Sequence, residues 1–275
     1  MPDVSDTSRN RTAVVTGASS GIGREVARAL VTRGYRVVGT SRAPDSAAAG
    51  NLIDGVELRA LDLTDPASIA RFTRSLGVVD VVVNNAGESQ SGPFEELPPD
   101  AVRRLFELNV FGPVALTQAL LPGMRERGYG RVVMVGSMLA SFPLPFRSSY
   151  VASKAAIKAF ADAARLEVSP HGVWLSTVEP GSIRTGISER RTKYLAPDSV
   201  FATDFNTVIG RLDENEHRGI PAERVAATVV RAIEAARPRP LYAVGSRAPL
   251  AFTARRLLPR AVVAARVARA HGLMR

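Results

Sequence analysis

From Thr12 to Val244 the chain alternates short β-branched runs with amphipathic helical stretches, and few architectures tolerate that alternation. Parallel strands joined through helices need right-handed crossovers, so the repetition implies a parallel sheet covered on both faces. The strands read as residues 12–16, 37–40, 56–61, 78–83, 131–135, 173–178 and 241–244. A helical stripe of Ile22, Val26, Ala27, Leu30 and Val31 ends at Gly34. Asp65-Pro66 opens a second helix with Ile69, Phe72 and Leu76 on one face. Further helices are expected over 101–124, with a bend near Gly112-Pro113, and over 149–167 and 222–235. The expectation is one doubly wound α/β domain over 1–275, with no repeat and no internal linker. Residues 1–10 are expected to be disordered. Residues 186–219 are polar, irregular and long, as suits a lid.

Composition narrows the function. There are no cysteines, which excludes disulfides, thiolate metal sites and a cysteine nucleophile. The cytoplasm is the expected compartment. Residues 1–8 are polar and acidic, and neither a signal nor a transit peptide is expected. No apolar run of about 18 residues, enough to span a bilayer, is read. The three histidines, His171, His217 and His271, lack ligand spacing, so no metal site is expected. The formal net charge is +10, but nine arginines follow Glu234, the last acidic residue. The basic character therefore belongs to the tail and not to the fold.

A glycine turn, Thr16-Gly17-Ala18-Ser19-Ser20-Gly21-Ile22-Gly23, lies between the first strand and the first helix. Glycines there let backbone approach a pyrophosphate, and the helix N-terminus offers free N–H groups and partial positive charge. The alternative is a plain turn before a helix. The second strand ends in Gly39-Thr40-Ser41-Arg42, with no acid to hold a ribose 2′-hydroxyl. Arginine suits a 2′-phosphate, so NADP(H) is expected, with NAD(H) possible. Arg42 is otherwise a solvated surface residue, and Asp45 lies nearby beyond Pro44.

Tyr150 and Lys154 are four apart on a helix and point the same way. A free tyrosine ionises near pH ~10, and a neighbouring cation favours its phenolate. Such a pair donates and accepts protons, and together with the glycine turn it points to carbonyl or alcohol redox on a nicotinamide.

The chain resembles the short-chain dehydrogenase/reductase family. The resemblance rests on the glycine turn, Asn84-Asn85-Ala86-Gly87, Asn109, Ser137, Tyr150-Val151-Ala152-Ser153-Lys154 and Pro180-Gly181, in order and spacing. It covers about residues 11–244. It implies a Rossmann-type seven-stranded sheet, expected in the order 3-2-1-4-5-6-7, with a C-terminal helical extension. It implies that Tyr150 is the general acid in reduction and the base in oxidation. Lys154 would hold the nicotinamide ribose and lower the Tyr150 pKa. Ser137 would bond the substrate carbonyl oxygen, and Asn109 would position a relay water. Two preset donors, Ser137 and Tyr150, stabilise the alkoxide that hydride delivery creates. Cofactor contacts carried over are Gly17, Ser19, Ser20, Gly21, Ile22, Gly23, Ser41, Arg42, Asp62, Leu63, Asn84, Ala86, Gly87, Tyr150, Lys154, Pro180, Gly181, Ile183 and Thr185. Arg184 either touches a phosphate or faces solvent. A non-catalytic dinucleotide-binding sensor or scaffold is the alternative on the same fold.

The partner implied is a small carbonyl or alcohol. Met138, Leu139, Phe142, Leu144 and Phe146 suit a lipophilic one, or else belong to core or subunit contacts. A homodimer or homotetramer is expected through the helices over 101–124 and 149–167. The tail, 249–275, mixes leucines, valines and arginines around Pro259 and reads as one or two amphipathic helices. It packs over the cleft or a sister subunit, or makes peripheral contact with an anionic membrane. Nucleic acid is not an expected partner, because Phe252 is the tail's single aromatic.

Overall fold

The computed structural model describes residues 11–44 and 53–273; the stretch 1–10 and Asp45 lie outside them. Strand β1 (Thr12–Val15) runs into helix α1 (Gly21–Thr32), followed by β2 (Arg36–Ser41), β3 (Val56–Ala60), α2 (Pro66–Arg74) and β4 (Val81–Asn84). A two-residue strand, β5 (Gln90–Ser91), precedes α3 (Pro99–Phe106), a π-helical turn (Glu107–Phe111) and α4 (Gly112–Glu126). Next come β6 (Gly130–Val135), α5 (Ser148–Val168), β7 (Val173–Pro180), β8 (Ile183–Arg184) and β9 (Thr192–Lys193). The chain closes with α6 (Ala202–His217), β10 (Ile220–Pro221), α7 (Ala222–Glu234), β11 (Leu241–Val244), α8 (Ala248–Leu257) and α9 (Arg260–Ala270).

Seven strands form one parallel sheet in the order β3-β2-β1-β4-β6-β7-β11. Counting only those seven, this is the expected 3-2-1-4-5-6-7. Alternation along each strand sends side chains to opposite faces. Val15, Val83, Val133 and Val178 meet Val26 and Leu30 of α1 and Val229 and Ile233 of α7. Val14, Val82, Val132 and Leu175 meet Leu116 and Met124 of α4 and Ile157 of α5 on the other side. Local signals start the helices: the Asp65 side chain accepts a hydrogen bond from the Ala67 N–H at 2.8 Å, with Pro66 in the first turn of α2.

Three elements differ from expectation. The helix expected over 101–124 is α3 and α4 joined by the π turn, which begins at Glu107, ahead of the expected bend at Gly112-Pro113. Asn109 lies buried in that turn, and such irregularities are frequent at functional sites. By length and composition, the continuous helical run Pro99–Glu126 is long enough to cross a bilayer, contrary to expectation. In this fold it packs on the sheet through Leu108, Leu116 and Met124. Residues 186–219 are not irregular throughout, because α6 occupies half of them. Phe205, Val208, Ile209 and Leu212 give α6 an i, i+3, i+4, i+7 stripe. With Leu139, Phe146, Val267 and Leu273 they form a third cluster, which ties the tail helix α9 to the body.

Leu116, with 0% exposure, anchors the α4 face, whereas Leu250 on α8 is 72% exposed. Leu116→Ala should therefore lower unfolding stability by about 2–5 kcal/mol. Leu250→Ala should change it by less than about 0.5 kcal/mol. Urea unfolding of the two variants measures both.

Candidate active site

The sheet order reverses between β1 and β4, and the chain's polar motifs gather at the carboxyl ends of these strands. Thr16 is fully buried there. Its Oγ1 accepts hydrogen bonds from the Asn85 and Ala86 N–H groups at 2.9 and 3.0 Å. Asn85 Nδ2 donates back to the Thr16 carbonyl at 2.9 Å. Gly17 takes φ +66°, and a Cβ on Gly23 would lie 2.3 Å from the Gly17 oxygen. Only glycine fits this approach of turn to helix. Ser20 caps α1 without a side-chain hydrogen bond, so the first-turn N–H groups lack a side-chain acceptor from their cap. An uncapped helix start behind a glycine turn fits a phosphate-bearing dinucleotide.

Two cavities flank this edge. The first is a groove walled by Gly17, Ser19, Ser20, Gly21 and Ile22. Ser41 and Arg42 stand at the end of β2, Leu63 beyond β3, and Ala86 and Gly87 beyond β4. Lys154 and Thr185 lie at the groove's other end. The second cavity is mostly apolar, walled by Met138, Leu139, Phe142, Leu212 and Val267, with Ser137 and Arg147 as polar groups. Pro180, Gly181 and Ile183 line this second cavity, not the groove. Tyr150 lines both.

Some expected residues lie elsewhere. Asn84 is the last residue of β4, and alternation turns its side chain into the core. There its Nδ2 donates to Thr117 Oγ1 at 3.0 Å, and Asn85 faces the turn instead. The Asp62 carboxylate is absent from the groove lining; it accepts from the N–H and hydroxyl of Thr64 at 2.8 and 2.7 Å and braces that loop. Those bonds hold its carboxyl below the usual range. Gly23 supports the cradle from behind. Arg184 is exposed, on the outer side of the glycine turn near Ser19 and Ser20. Arg42 is exposed, with its guanidinium 3.7 Å from Glu88, which also pairs with Arg104 at 2.7 Å.

Asn109 is buried beneath the segment after β4. Its Oδ1 accepts from the Glu88 N–H at 2.9 Å, and its Nδ2 donates to the Glu88 carbonyl and to Ser153 Oγ. The Asn109 Oδ1 and Lys154 Nζ atoms both flank Gly87. Lys154 Nζ donates to the Val135 carbonyl at 3.0 Å. Burial pushes the Lys154 ammonium down to about 8.

Tyr150 departs from expectation. Burial holds its phenol above the ordinary value, and Glu216 adds to that, while Arg147, the Ser137 hydroxyl and Arg191 pull the other way. The expected lowering by Lys154 is not found, since its Nζ is 5.9 Å from the ring centroid and committed to Val135. Arg147 is nearer, its guanidinium carbon 4.4 Å from that centroid. Sequence reasoning passed over Arg147, Glu216 and Arg190, another arginine in the groove wall. The signal for Arg147 was a lone charge between Phe142 and Tyr150 in an otherwise uncharged run.

A family model described as short chain dehydrogenase matches residues 11–195. The chain belongs to the short-chain dehydrogenase/reductase family. It is 41% identical over 195 residues to dehydrogenase/reductase SDR family member 7B of Bos taurus. That match covers 66% of this chain and 60% of the bovine protein, so the chain spans less than two thirds of that relative. Among solved structures, a short-chain dehydrogenase from Streptomyces avermitilis superposes with TM-score 0.81 at 33% identity, covering 96% of this chain and 98% of that one. A short-chain dehydrogenase from Burkholderia cenocepacia J2315, solved in complex with NADP, gives TM-score 0.76 at 27% identity, covering 94% and 98%. Membership places the chain in a family of oxidoreductases whose fold binds nicotinamide dinucleotides.

The buried Lys154 carries a stability cost with a defined pH window. Its folded value of about 8 lies below the ordinary 10.5. The cost is therefore fully present below pH 8 and fades as pH rises toward 10.5, where the unfolded chain also loses the proton. Lys154→Met should stabilise the cofactor-free protein by up to about 3 kcal/mol at neutral pH, less the lost bond to Val135. Urea midpoints measured from pH 7 to 10.5 should show that gain shrinking.

Proposed function

We propose that the chain is an NADP(H)-dependent oxidoreductase that interconverts a secondary alcohol and a ketone on a lipophilic small molecule. One observation carries the reading: among the residues that line both the dinucleotide groove and the apolar cavity, Tyr150 carries a proton-transfer group, with Lys154 on the groove side and Ser137 on the cavity side. The bound nicotinamide would supply or accept the hydride. Ser137 Oγ already accepts from the Leu139 N–H at 3.1 Å, which leaves its O–H to donate toward a substrate oxygen. Tyr150 adds a second donor at the same oxygen and passes its proton to the alkoxide in reduction. In the reverse direction its phenolate takes the alcohol proton. Lys154, beside Gly87, would hold the ribose hydroxyls, and Asn109 keeps the segment around Gly87 in place.

Arg42 at the end of β2 supports a 2′-phosphate over a free ribose. The NADP complex of the Burkholderia relative is consistent with that choice. Met138, Leu139, Phe142 and Val267 favour an apolar substrate.

NADPH should bind at least tenfold tighter than NADH, followed by nicotinamide fluorescence, and Arg42→Ala should remove most of the difference, as loss of a charge-assisted contact of about 1.5–3 kcal/mol predicts. Tyr150→Phe should keep NADPH binding and lose about 10²–10⁴-fold in turnover of lipophilic ketones. Unchanged turnover would instead favour a non-catalytic dinucleotide sensor.

Pairing of subunits is proposed through the faces of α4 and α5. Phe160 and Leu166 lie exposed on α5, and Phe111 lies exposed in the π turn that leads into α4. Light scattering should give a dimer or tetramer for the parent chain and a smaller particle for Phe160→Glu/Leu166→Glu.

A further inference from the structure

Arg147 is the charge the proposed mechanism leaves unexplained. It is 2% exposed and precedes the first turn of α5. One guanidinium nitrogen donates to Ser91 Oγ at 3.0 Å, and its Nε has no hydrogen-bond partner. None of the ion pairs among the described residues includes it. The nearby carboxylates pair with other cations, although the second oxygen of Glu216 has no hydrogen-bond partner. Arg191, with a side chain 0% exposed, pairs with Asp213 and with Glu216, the latter at 2.6 Å. Lys193 takes the other oxygen of Asp213 at 3.2 Å. A buried guanidinium without a carboxylate is costly to keep. What it does face is the ring of Tyr150, 4.4 Å from the centroid.

That placement discriminates between the two forms of the tyrosine. Against a neutral phenol, the guanidinium gains only the modest attraction of the ring face. Against a phenolate, it gains a full opposite charge in a dry site. We infer that Arg147 is a positioning residue that holds the Tyr150 ring from its face and stabilises the tyrosine's anionic form. The inference rests on the reading of Tyr150 as the proton-transfer group. Lys154 does not fill this role unaided, with its ammonium turned to the Val135 carbonyl.

Other charges bear on the same ring. Arg191, from the segment before β9, acts in the same direction as Arg147, and Glu216 of α6 opposes it. Asp213 of α6 and Lys193 of β9 are bound to one another. His271 of the tail lines the same cavity, with its Nδ1 2.8 Å from the Val267 carbonyl.

The test reads tyrosinate absorption in the near ultraviolet during alkaline titration of the full chain with NADP+. Subtracting Tyr150→Phe isolates Tyr150 from the other tyrosines. Arg147→Gln keeps a hydrogen-bond donor for Ser91 and removes the charge. It should raise the Tyr150 midpoint by about one pH unit, roughly tenfold less tyrosinate at a fixed pH below it. Arg147→Lys should recover part of the shift, and the alkaline limb of alcohol oxidation should move with it. A folded Arg147→Gln protein with an unmoved midpoint overturns the inference. If that variant does not fold, Arg147→Met, which keeps the apolar stem and removes the charge, carries the same test: a raised midpoint supports the inference, and an unmoved one overturns it. Full turnover in Tyr150→Phe would instead sink the reading of Tyr150 itself, whatever Arg147 does.

Discussion

The carboxyl edge of the sheet depends on one buried hydroxyl. Thr16 Oγ1 accepts two successive backbone N–H groups from the segment after β4, and Asn85 returns a bond to the Thr16 carbonyl. These contacts lock the glycine turn to the end of the neighbouring strand where the strand order reverses. A parallel ladder alone leaves such loops free. With the lock in place, Gly17 and Gly23 can approach within a distance no side chain allows. The first-turn N–H groups of α1 then face a groove of fixed width. Thr117 and Met134 hold Asn84 in the same way on the opposite face of β4. The Asn84-Asn85 pair thus anchors the edge in two directions, one residue into the core and one into the turn.

The site is also where the protein accepts electrostatic cost. Lys154 and Arg147 are buried there, and burial moves each toward its neutral form. Such groups persist only when the surrounding packing is strong enough to carry them. Here the sheet supplies it, with valines on both faces of β1, β4 and β6. Arg191 shows the contrast. It is as deeply buried as Arg147 but pairs with two carboxylates from α6. The difference between the two arginines is what each faces, and only Arg147 faces the tyrosine.

Much of this was legible in the sequence, for a physical reason. Period-two and period-3.6 patterns report burial, so Val14-Val15, Val81-Val83 and the stripe of α1 declared the sheet and its helices. Tyr150, Lys154 and Ser137 were legible because their spacing fits one helix and the strand end before it. Residues whose roles depend on tertiary placement were not. Asn84 and Asn85 differ only in which face the strand end presents. Arg147 looks like any helix-start arginine until α6 and the tail bury it. The stripe of α6 was present in Phe205, Val208, Ile209 and Leu212, but Asp213, Glu214 and Glu216 diluted it and suggested a loop. The π turn at Asn109 was not read from the sequence, and the bonds of Asn109 to the Glu88 backbone are tertiary contacts that no local pattern reports.

The division of labour along the chain follows from which elements build which cavity. The region that matches the family, residues 11–195, contains the glycine turn, Ser137, Tyr150 and Lys154. Part of the wall of the apolar cavity comes from beyond it, from Leu212 and Glu216 of α6, Val267 of α9 and His271 just after that helix. The tail is held to the body by apolar contacts: Phe252 meets Phe142 edge-on at 5.2 Å, and Val267 and Leu273 join the α6 cluster. On the proposed reading, proton transfer and dinucleotide binding are encoded by motifs that must keep strict spacing. The shape offered to the substrate is encoded in part by two helices that contribute apolar side chains to the cavity wall. Sequence change in α6 and α9 can therefore alter what fits without disturbing the edge that Thr16 holds in register.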